Sequence, residues 1–125
     1  MNEKQTILIV DDDADLVKTL GCLLEAEGFN TLTAYEGIRA VEKANKYLPA
    51  LILLDLQMPA GTGQTVLASL RSRNETRKIP VIVLTALDDP SLETAVLQGG
   101  AQDFLRKPCD PELLLQKIRG FLSQS

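Results

Sequence analysis

The sequence predicts an α/β domain built on a parallel β-sheet, and two patterns support this prediction. Residues 7–10, 51–54 and 81–84 are short, wholly apolar runs rich in branched side chains, which is typical of strands buried on both faces. Between these runs, apolar residues recur at helical spacing, so strands alternate with helices as in repeated βαβ units. With 125 residues, 45% of them hydrophobic, the chain has the size and composition of one globular domain.

The first half of the chain is predicted to contain three strands and two helices. After the first strand, one of the acids at 11–13 caps a helix that Gly28 ends, and its apolar positions are Leu16, Val17, Leu20, Leu23 and Leu24. Residues 29–34 form a short, alternating strand, which favours a place near the edge of the sheet. A second helix ends before Pro49, with apolar positions Ile38, Val41, Ala44 and Leu48.

The second half is predicted to contain the remaining helices and strands. An irregular loop at 58–61 leads to a short helix with apolar positions Val66, Leu67 and Leu70, and Pro80 opens the fourth strand. Pro90 begins a helix through Leu97 that two glycines close, and residues 103–106 form the fifth strand. Asp110-Pro111 is a cap followed by a first-turn proline, and the last helix has the apolar positions Leu113, Leu114, Ile118, Phe121 and Leu122.

Polar residues follow the apolar strands at the points where the strands end. In open parallel sheets, ligands bind just beyond the carboxyl ends of the strands, and neighbouring strands lie only about 4.8 Å apart. One edge of the sheet should therefore gather five side chains, which are Asp11, Asp12, Asp55, Thr85 and Lys107. A helix cap would account for one of the acids at 11–13, but it would not account for the paired Asp11-Asp12 or for Asp55.

These residue types suit phosphoryl transfer at a metal-bound site. Crowded carboxylates repel one another unless something positive lies among them, and a site made of oxygen ligands favours Mg²⁺, with Mn²⁺ as an alternative ion. Lys107 adds a positive charge, and the hydroxyl of Thr85 can donate a hydrogen bond to a phosphoryl oxygen. A carboxylate can itself accept a phosphoryl group, and Asp55 is the favoured nucleophile because it ends the most completely apolar strand.

Composition excludes several other classes of function. The chain has no histidine, so it lacks the commonest general base and metal ligand. A net charge of −4 argues against direct binding of nucleic acid, and the basic stretch 71–78 is interpreted as a solvated helix end and loop. No apolar run approaches the ~18 residues that span a bilayer, and the start does not resemble a signal peptide, so we expect a cytoplasmic protein without membrane contact.

The two cysteines are too few for a disulfide framework. Cys22 is interpreted as a small core residue among Gly21, Leu23 and Leu24, and Cys109 follows Lys107-Pro108 at the functional edge.

Four segments together resemble the receiver domain of two-component response regulators, in that family's order and spacing. They are Ile9-Val10-Asp11-Asp12-Asp13, Leu54-Asp55-Leu56-Gln57-Met58-Pro59 with Gly63, Leu84-Thr85-Ala86, and Asp103-Phe104-Leu105-Arg106-Lys107-Pro108. The resemblance implies a flavodoxin-like, doubly wound sheet of five parallel strands in the order 2-1-3-4-5, flanked by five helices. It covers essentially the whole chain, which is expected to be a single receiver domain over 1–125, with a folded core at about 6–122 and a tail or linker at 123–125.

The same resemblance implies the roles of the site residues. Asp55 would accept a phosphoryl group from the phosphohistidine of a partner histidine kinase or phosphotransfer protein. Asp12 and Asp55 would bind Mg²⁺ directly, Asp11 would bind it through water, and the backbone carbonyl of Gln57 would complete the protein ligands. Thr85 and Lys107 would bind the phosphoryl oxygens, with a cis peptide bond between Lys107 and Pro108.

The resemblance also implies a switch and an output face. Phe104 matches the family's switch aromatic, which turns inward as Thr85 moves. The output face would be the surface of the fourth helix, fifth strand and fifth helix, presenting residues such as Glu93, Gln102, Arg106, Gln116 and Arg119. Its effector is not specified by the sequence, and a phosphorylation-dependent homodimer is one outcome. The expected chemistry is self-catalysed phosphorylation and slow autodephosphorylation, and not the turnover of an enzyme.

Competing interpretations fit the residues less well. A haloacid-dehalogenase-like phosphotransferase would carry Asp-x-Asp-x-Thr on its first strand, whereas Asp11, Asp13 and Asp15 here lack the threonine. The same acids are spaced as in a calcium loop, but Leu16 replaces its glycine and Cys22 its closing glutamate. A flavodoxin-like cofactor carrier would need a glycine- and hydroxyl-rich loop where this chain has acids. A receiver-shaped scaffold that acts without phosphorylation remains a further alternative.

Overall fold

The computed structural model describes residues 4–57 and 63–123, and within them strands and helices alternate along the chain. The strands are β1 (Thr6–Val10), β2 (Asn30–Ala34), β3 (Leu51–Leu54), β4 (Val81–Thr85) and β5 (Asp103–Arg106). The helices are α1 (Ala14–Ala26), α2 (Gly37–Tyr47), α3 (Gly63–Arg71), α4 (Pro90–Gln98) and α5 (Pro111–Leu122). The loop predicted at 58–61 lies outside the described residues.

The strands form a parallel sheet in the order β2-β1-β3-β4-β5, which confirms the predicted topology and the edge position of β2. Residues of β3 and β4 are buried throughout, as expected for strands covered on both faces. One face packs against α1 and α5, and the other packs against α2, α3 and α4. The carboxyl ends of all the strands consequently meet at one edge, where the candidate site lies.

The predicted helix boundaries hold to within a few residues, and the predicted caps are confirmed for α1 and α5. The side chain of Asp13 accepts hydrogen bonds from the backbone of α1, and the side chain of Asp110 does the same for α5, where Pro111 is the first residue. Gly28, which was predicted to stop α1, has a φ of +96°, a conformation that glycine adopts without strain.

Several predictions about burial are wrong. Cys22 is exposed, because the buried stripe of α1 runs through Val17, Gly21 and Leu24. Ile38 is 64% exposed, because α2 turns its glycine and alanines toward the sheet. In α5, Leu115 is buried where the sequence pattern favoured Leu113, which is exposed.

The basic stretch 71–78 is solvated only in part, because Arg71 is half-buried. Its guanidinium donates to the carbonyl oxygen of Gly100 from Nε at 3.1 Å and from Nη2 at 2.8 Å. Nη2 also donates to the Gln102 side chain at 3.0 Å. Arg71 therefore joins the end of α3 to the segment between α4 and β5, whereas Arg73 and Arg77 are exposed as predicted.

Candidate functional site

The strand register brings Asp11 and Asp55 side by side. Val10 is the register partner of Leu54, and each acid directly follows one of these residues. The backbone N–H of Asp55 donates to the carbonyl oxygen of Val10 at 2.9 Å, which extends the ladder by one step. Both side chains are almost fully buried, with 3% of Asp11 and 5% of Asp55 exposed.

Lys107 lies between these two carboxylates. Its Nζ is 2.6 Å from Asp11 Oδ2 and 3.4 Å from Asp55 Oδ2. The backbone N–H of Lys107 donates to the carbonyl oxygen of Thr85 at 2.8 Å. The pairing of β5 with β4 therefore determines the position of the Lys107 backbone. The peptide bond from Lys107 to Pro108 is cis, as predicted.

The charges at the site are only partly compensated. Burial raises the pKa of the Asp11 carboxyl, and the negative charge of Asp55 acts in the same direction, while hydrogen bonds from Lys107 and from the backbone of Asp13 oppose the shift. Burial on its own would lower the pKa of Lys107, but its hydrogen bond to Asp11 and the charge of Asp55 outweigh this effect, so the pKa is raised. Three carboxylates thus surround one lysine, and the group as a whole has an excess of acidic side chains.

Asp12 completes a group of three acids with Asp11 and Asp55. One carboxylate oxygen from each residue lies within 4.8 Å of those of the other two. Octahedral Mg²⁺ binds its oxygen ligands at about 2.1 Å, so two ligands on opposite sides of the ion are about 4.2 Å apart. The oxygen atoms of the three acids are therefore close to the separation that one Mg²⁺ ion accommodates, and Asp12 is exposed to solvent.

The structure places the other predicted residues around these acids. Thr85 is fully buried at the end of β4, where its Oγ1 accepts a hydrogen bond from the N–H of Leu87 at 3.4 Å. The N–H of Gln57 donates to Asp55 Oδ1 at 3.3 Å, which ties the segment after β3 to that carboxylate. Phe104 is buried in the apolar layer beneath α2, α3 and α4. Asp11, Asp12, Asp55, Thr85 and Lys107 thus lie together at the carboxyl edge of the sheet, whereas Phe104 lies within β5, opposite Val83 in the strand register.

Two residues of the site have roles that the sequence pattern did not reveal. The backbone N–H of Asp13 donates to Asp11 Oδ1 at 2.9 Å, in addition to the cap that its side chain forms. Gly63 packs its Cα against the end of β3, because a Cβ there would lie 2.6 Å from the carbonyl oxygen of Asp55. Gly63 was part of the family resemblance, but only the close approach of α3 explains why glycine is needed.

The predicted output face contains exposed side chains and also side chains that contact other parts of the fold. Glu93, Arg106 and Gln116 are exposed, and Arg106 forms an ion pair with Asp88 of the segment that follows Thr85. Gln102 is exposed as a residue, but its Oε1 accepts from the N–H of Val81 at 2.7 Å. Arg119 pairs with Glu27 at the end of α1, at 2.5 Å. These last two side chains are therefore committed to structural contacts.

A parallel sheet in the order β2-β1-β3-β4-β5, with acids and one lysine together at its carboxyl edge, is typical of phosphoacceptor receiver domains. The family model for the response regulator receiver domain matches residues 7–119, and the chain belongs to this family. Members of this class are signalling modules. No helix in segments 4–57 and 63–123 combines the length and the apolar character that crossing a membrane requires.

The chain is similar to the response regulator PleD of Caulobacter vibrioides, with 42% identity over 113 residues that cover 90% of this chain and 25% of PleD. The chain thus spans about a quarter of the length of that relative. A putative response regulator from Chloroflexus aurantiacus has a TM-score of 0.92 and 31% identity, covering 98% of this chain and 100% of that one.

The receiver domain of the sensor histidine kinase PA1611 from Pseudomonas aeruginosa, solved with magnesium in its active-site cleft, has a TM-score of 0.90 and 26% identity. The match covers 98% of this chain and 100% of the solved one. Receiver domains bind Mg²⁺ at an acidic site and interact with histidine kinases or phosphotransfer proteins, and the group of Asp11, Asp12 and Asp55 has the composition of such a site.

Proposed function

We propose that Asp55 is the phosphoacceptor of this receiver domain. A carboxylate oxygen of Asp55 would attack the phosphorus of a phosphohistidine on a partner histidine kinase or phosphotransfer protein. The new P–O bond forms as the P–N bond breaks, and the electron pair returns to the histidine nitrogen. The observation that carries this proposal is the position of Lys107 Nζ between Asp11 and Asp55, since a cation there lies within reach of a phosphoryl oxygen on Asp55.

The three acids and the backbone carbonyl of Gln57 would hold Mg²⁺, with Asp12 and Asp55 binding it directly and Asp11 binding it through water. When bound, the ion supplies positive charge that neutralises the phosphoryl oxygens. Support comes from the oxygen-only ligand set and from the magnesium in the similar cleft of PA1611. Mn²⁺ should substitute, because it accepts the same oxygen ligands.

Thr85 and Phe104 would link the phosphoryl group to the output face. The hydroxyl of Thr85 would exchange its contact with the N–H of Leu87 for a phosphoryl oxygen, which draws the segment after β4 toward the site. That segment carries Asp88, which pairs with Arg106 of β5, so the surface of α4, β5 and α5 would change with it. Phe104 would move with Thr85, and this face would bind an effector or a second phosphorylated copy of the chain.

The acceptor is tested by incubating the chain with acetyl phosphate and Mg²⁺ and separating the products by Phos-tag electrophoresis. The wild type should give a retarded, hydroxylamine-sensitive band, and Asp55→Asn should not. Asp15→Asn is a matched control, because it makes the same chemical change on an exposed acid outside the three-acid group. EDTA should abolish the retarded band. A retarded band in Asp55→Asn would place the acceptor elsewhere, and the lack of any band in the wild type would favour the phosphorylation-independent scaffold.

A further inference from the structure

We infer that Asp13 is a positioning residue for the acidic group, acting through the carboxylate of Asp11. Asp13 is not one of the three acids whose oxygens converge. Its backbone N–H nevertheless donates to Asp11 Oδ1 at 2.9 Å, while Lys107 holds the other oxygen of the same carboxylate. The orientation of Asp11 is thus fixed from two sides, one ionic and one from the backbone of Asp13. This inference rests on the proposed metal site.

The side chain of Asp13 fixes its own backbone to α1. Its Oδ1 accepts from the N–H groups of Asp15 at 3.1 Å and Leu16 at 3.2 Å, and its carbonyl oxygen accepts from the N–H of Val17 at 3.0 Å. With φ −85° and ψ 100°, Asp13 has the extended conformation of a helix cap. Its N–H therefore points away from α1 and toward Asp11.

The anchor for this arrangement is the buried side of α1. Val17 and Leu24 are buried against the sheet, so α1 has a fixed position relative to β1. Asp12 lies between Asp11 and Asp13, and both of these neighbours are tied, one to Lys107 and the other to α1. The three-residue segment 11–13 is thus held at both ends, which restricts the directions available to the Asp12 carboxylate and lowers the conformational cost of binding an ion.

Two substitutions distinguish the helix-capping role of the Asp13 side chain from the effect of its negative charge. Asp13→Asn keeps a good cap acceptor and removes the negative charge, whereas Asp13→Ala removes both. If the role of Asp13 is geometric, Asn should preserve the Mg²⁺ affinity and Ala should weaken it. If its role is only electrostatic attraction, the two variants should weaken binding equally. Asp89→Ala is the matched control, because Asp89 caps α4 in the same way, with its Oδ1 accepting from Ser91 N at 3.0 Å.

The experiment is a Mg²⁺ titration by calorimetry, together with the Mg²⁺ dependence of labelling by acetyl phosphate. For Asp13→Ala we expect the dissociation constant and the half-maximal Mg²⁺ concentration to rise about three- to tenfold, the factor that corresponds to loss of an ordinary cap. The labelling plateau at saturating Mg²⁺ should match the wild type. Asp13→Asn and Asp89→Ala should stay within about twofold of the wild type.

The inference is overturned if Asp13→Ala binds Mg²⁺ as the wild type does, because Asp13 would then be a helix cap alone. It is also overturned if Asp13→Asn binds as weakly as Asp13→Ala. Should Asp13→Ala fail to fold, Asp13→Gly replaces it, since glycine also lacks the side-chain acceptor but costs a cap position much less stability than alanine does. Its Mg²⁺ affinity should then be lower than that of Asp13→Asn, and an equal affinity would overturn the inference. A wild type that binds no Mg²⁺ would instead overturn the proposed metal site, whereas the Asp55→Asn comparison tests the phosphoacceptor separately.

Discussion

Gly63 offers a test in which helix propensity and packing predict opposite signs. It is the first residue of α3, and its N–H donates to the carbonyl oxygen of Leu56 at 3.2 Å. A Cβ on Gly63 would lie 2.6 Å from both the Asp55 carbonyl oxygen and the Leu56 Cα, and 2.8 Å from the Leu56 Cδ2. The first two of these atoms belong to the backbone that carries the proposed acceptor. They can yield only if α3 or the end of β3 moves.

The expected size of the effect follows from this clash. Overpacking of this kind costs about 1–3 kcal/mol, so Gly63→Ala should lower the free energy of unfolding by that amount. For a domain of this size, such a loss lowers the thermal midpoint by roughly 3–12 °C. The matched control is Gly120→Ala in α5, where a Cβ would meet nothing within 4 Å. There the substitution should stabilise the fold by about 0.5–1 kcal/mol, because alanine is the better helix former.

Thermal and urea unfolding of the two variants measure the difference, and acetyl phosphate labelling measures its effect on the site. Because relief of the clash displaces Asp55 or the helix that packs on it, Gly63→Ala should also be labelled more slowly than the wild type, and Gly120→Ala should not. A Gly63→Ala variant as stable as the wild type, or more stable, would refute the reasoning. So would normal labelling of a destabilised variant, since it would show that the clash is relieved away from Asp55.

Two further predictions concern charge and backbone strain. In EDTA at neutral pH, Asp11→Asn should raise the thermal midpoint, because burial raises the pKa of Asp11 and its charged form therefore opposes folding. The folded state binds that proton more tightly than the unfolded chain does, so the advantage of asparagine should shrink as the pH falls toward 3.8; an advantage that grows would contradict the charge argument. Leu48 ends α2 with a φ of +47°, a conformation that favours glycine, and its side chain is more than half exposed. Leu48→Gly should therefore raise the free energy of unfolding, measured in urea, by about 1 kcal/mol. Leu113→Gly, at an exposed leucine inside α5, is the control and should lower it.

The sheet and its edge could be predicted because the signals are local. The runs at 7–10, 51–54 and 81–84 are buried on both faces, so each reads as uninterrupted apolar sequence and its polar successor marks the strand end. Because the strands are parallel, the polar residues that follow them meet at one edge of the sheet. Asp11 and Asp55 lie side by side there, since each follows one residue of the register pair Val10 and Leu54. The helix cap at Asp110 could also be predicted from a local signal, because the cap residue and Pro111 are neighbours in the sequence.

The features that were predicted wrongly depend on how helices rotate against the sheet. Ile38 and Cys22 lie on helices whose apolar positions allow more than one buried stripe. The structure buries Val17, Leu20, Gly21 and Leu24 in α1, and Gly37, Ala40 and Ala44 in α2. Arg71 was taken as solvated because its partner at Gly100 is 29 residues away, beyond any local pattern. The close packing of Gly63 on Asp55 is equally non-local. Such contacts follow from tertiary packing, and periodicity alone does not encode them.

The position of the acids in the ladder explains why negative charge is concentrated at the site. Asp11 and Asp55 extend from strands joined by a backbone hydrogen bond of 2.9 Å, so the backbones of the two acids are held side by side. Lys107 reaches both, yet the pKa of Asp11 remains raised, which means that burial and repulsion still outweigh the lysine. A phosphoryl group on Asp55 would replace one negative charge by about two and so strengthen the demand for positive charge. By linkage, Mg²⁺ binding and phosphorylation should favour each other, and the strain that the sheet imposes on its acids becomes part of the receiver's chemistry.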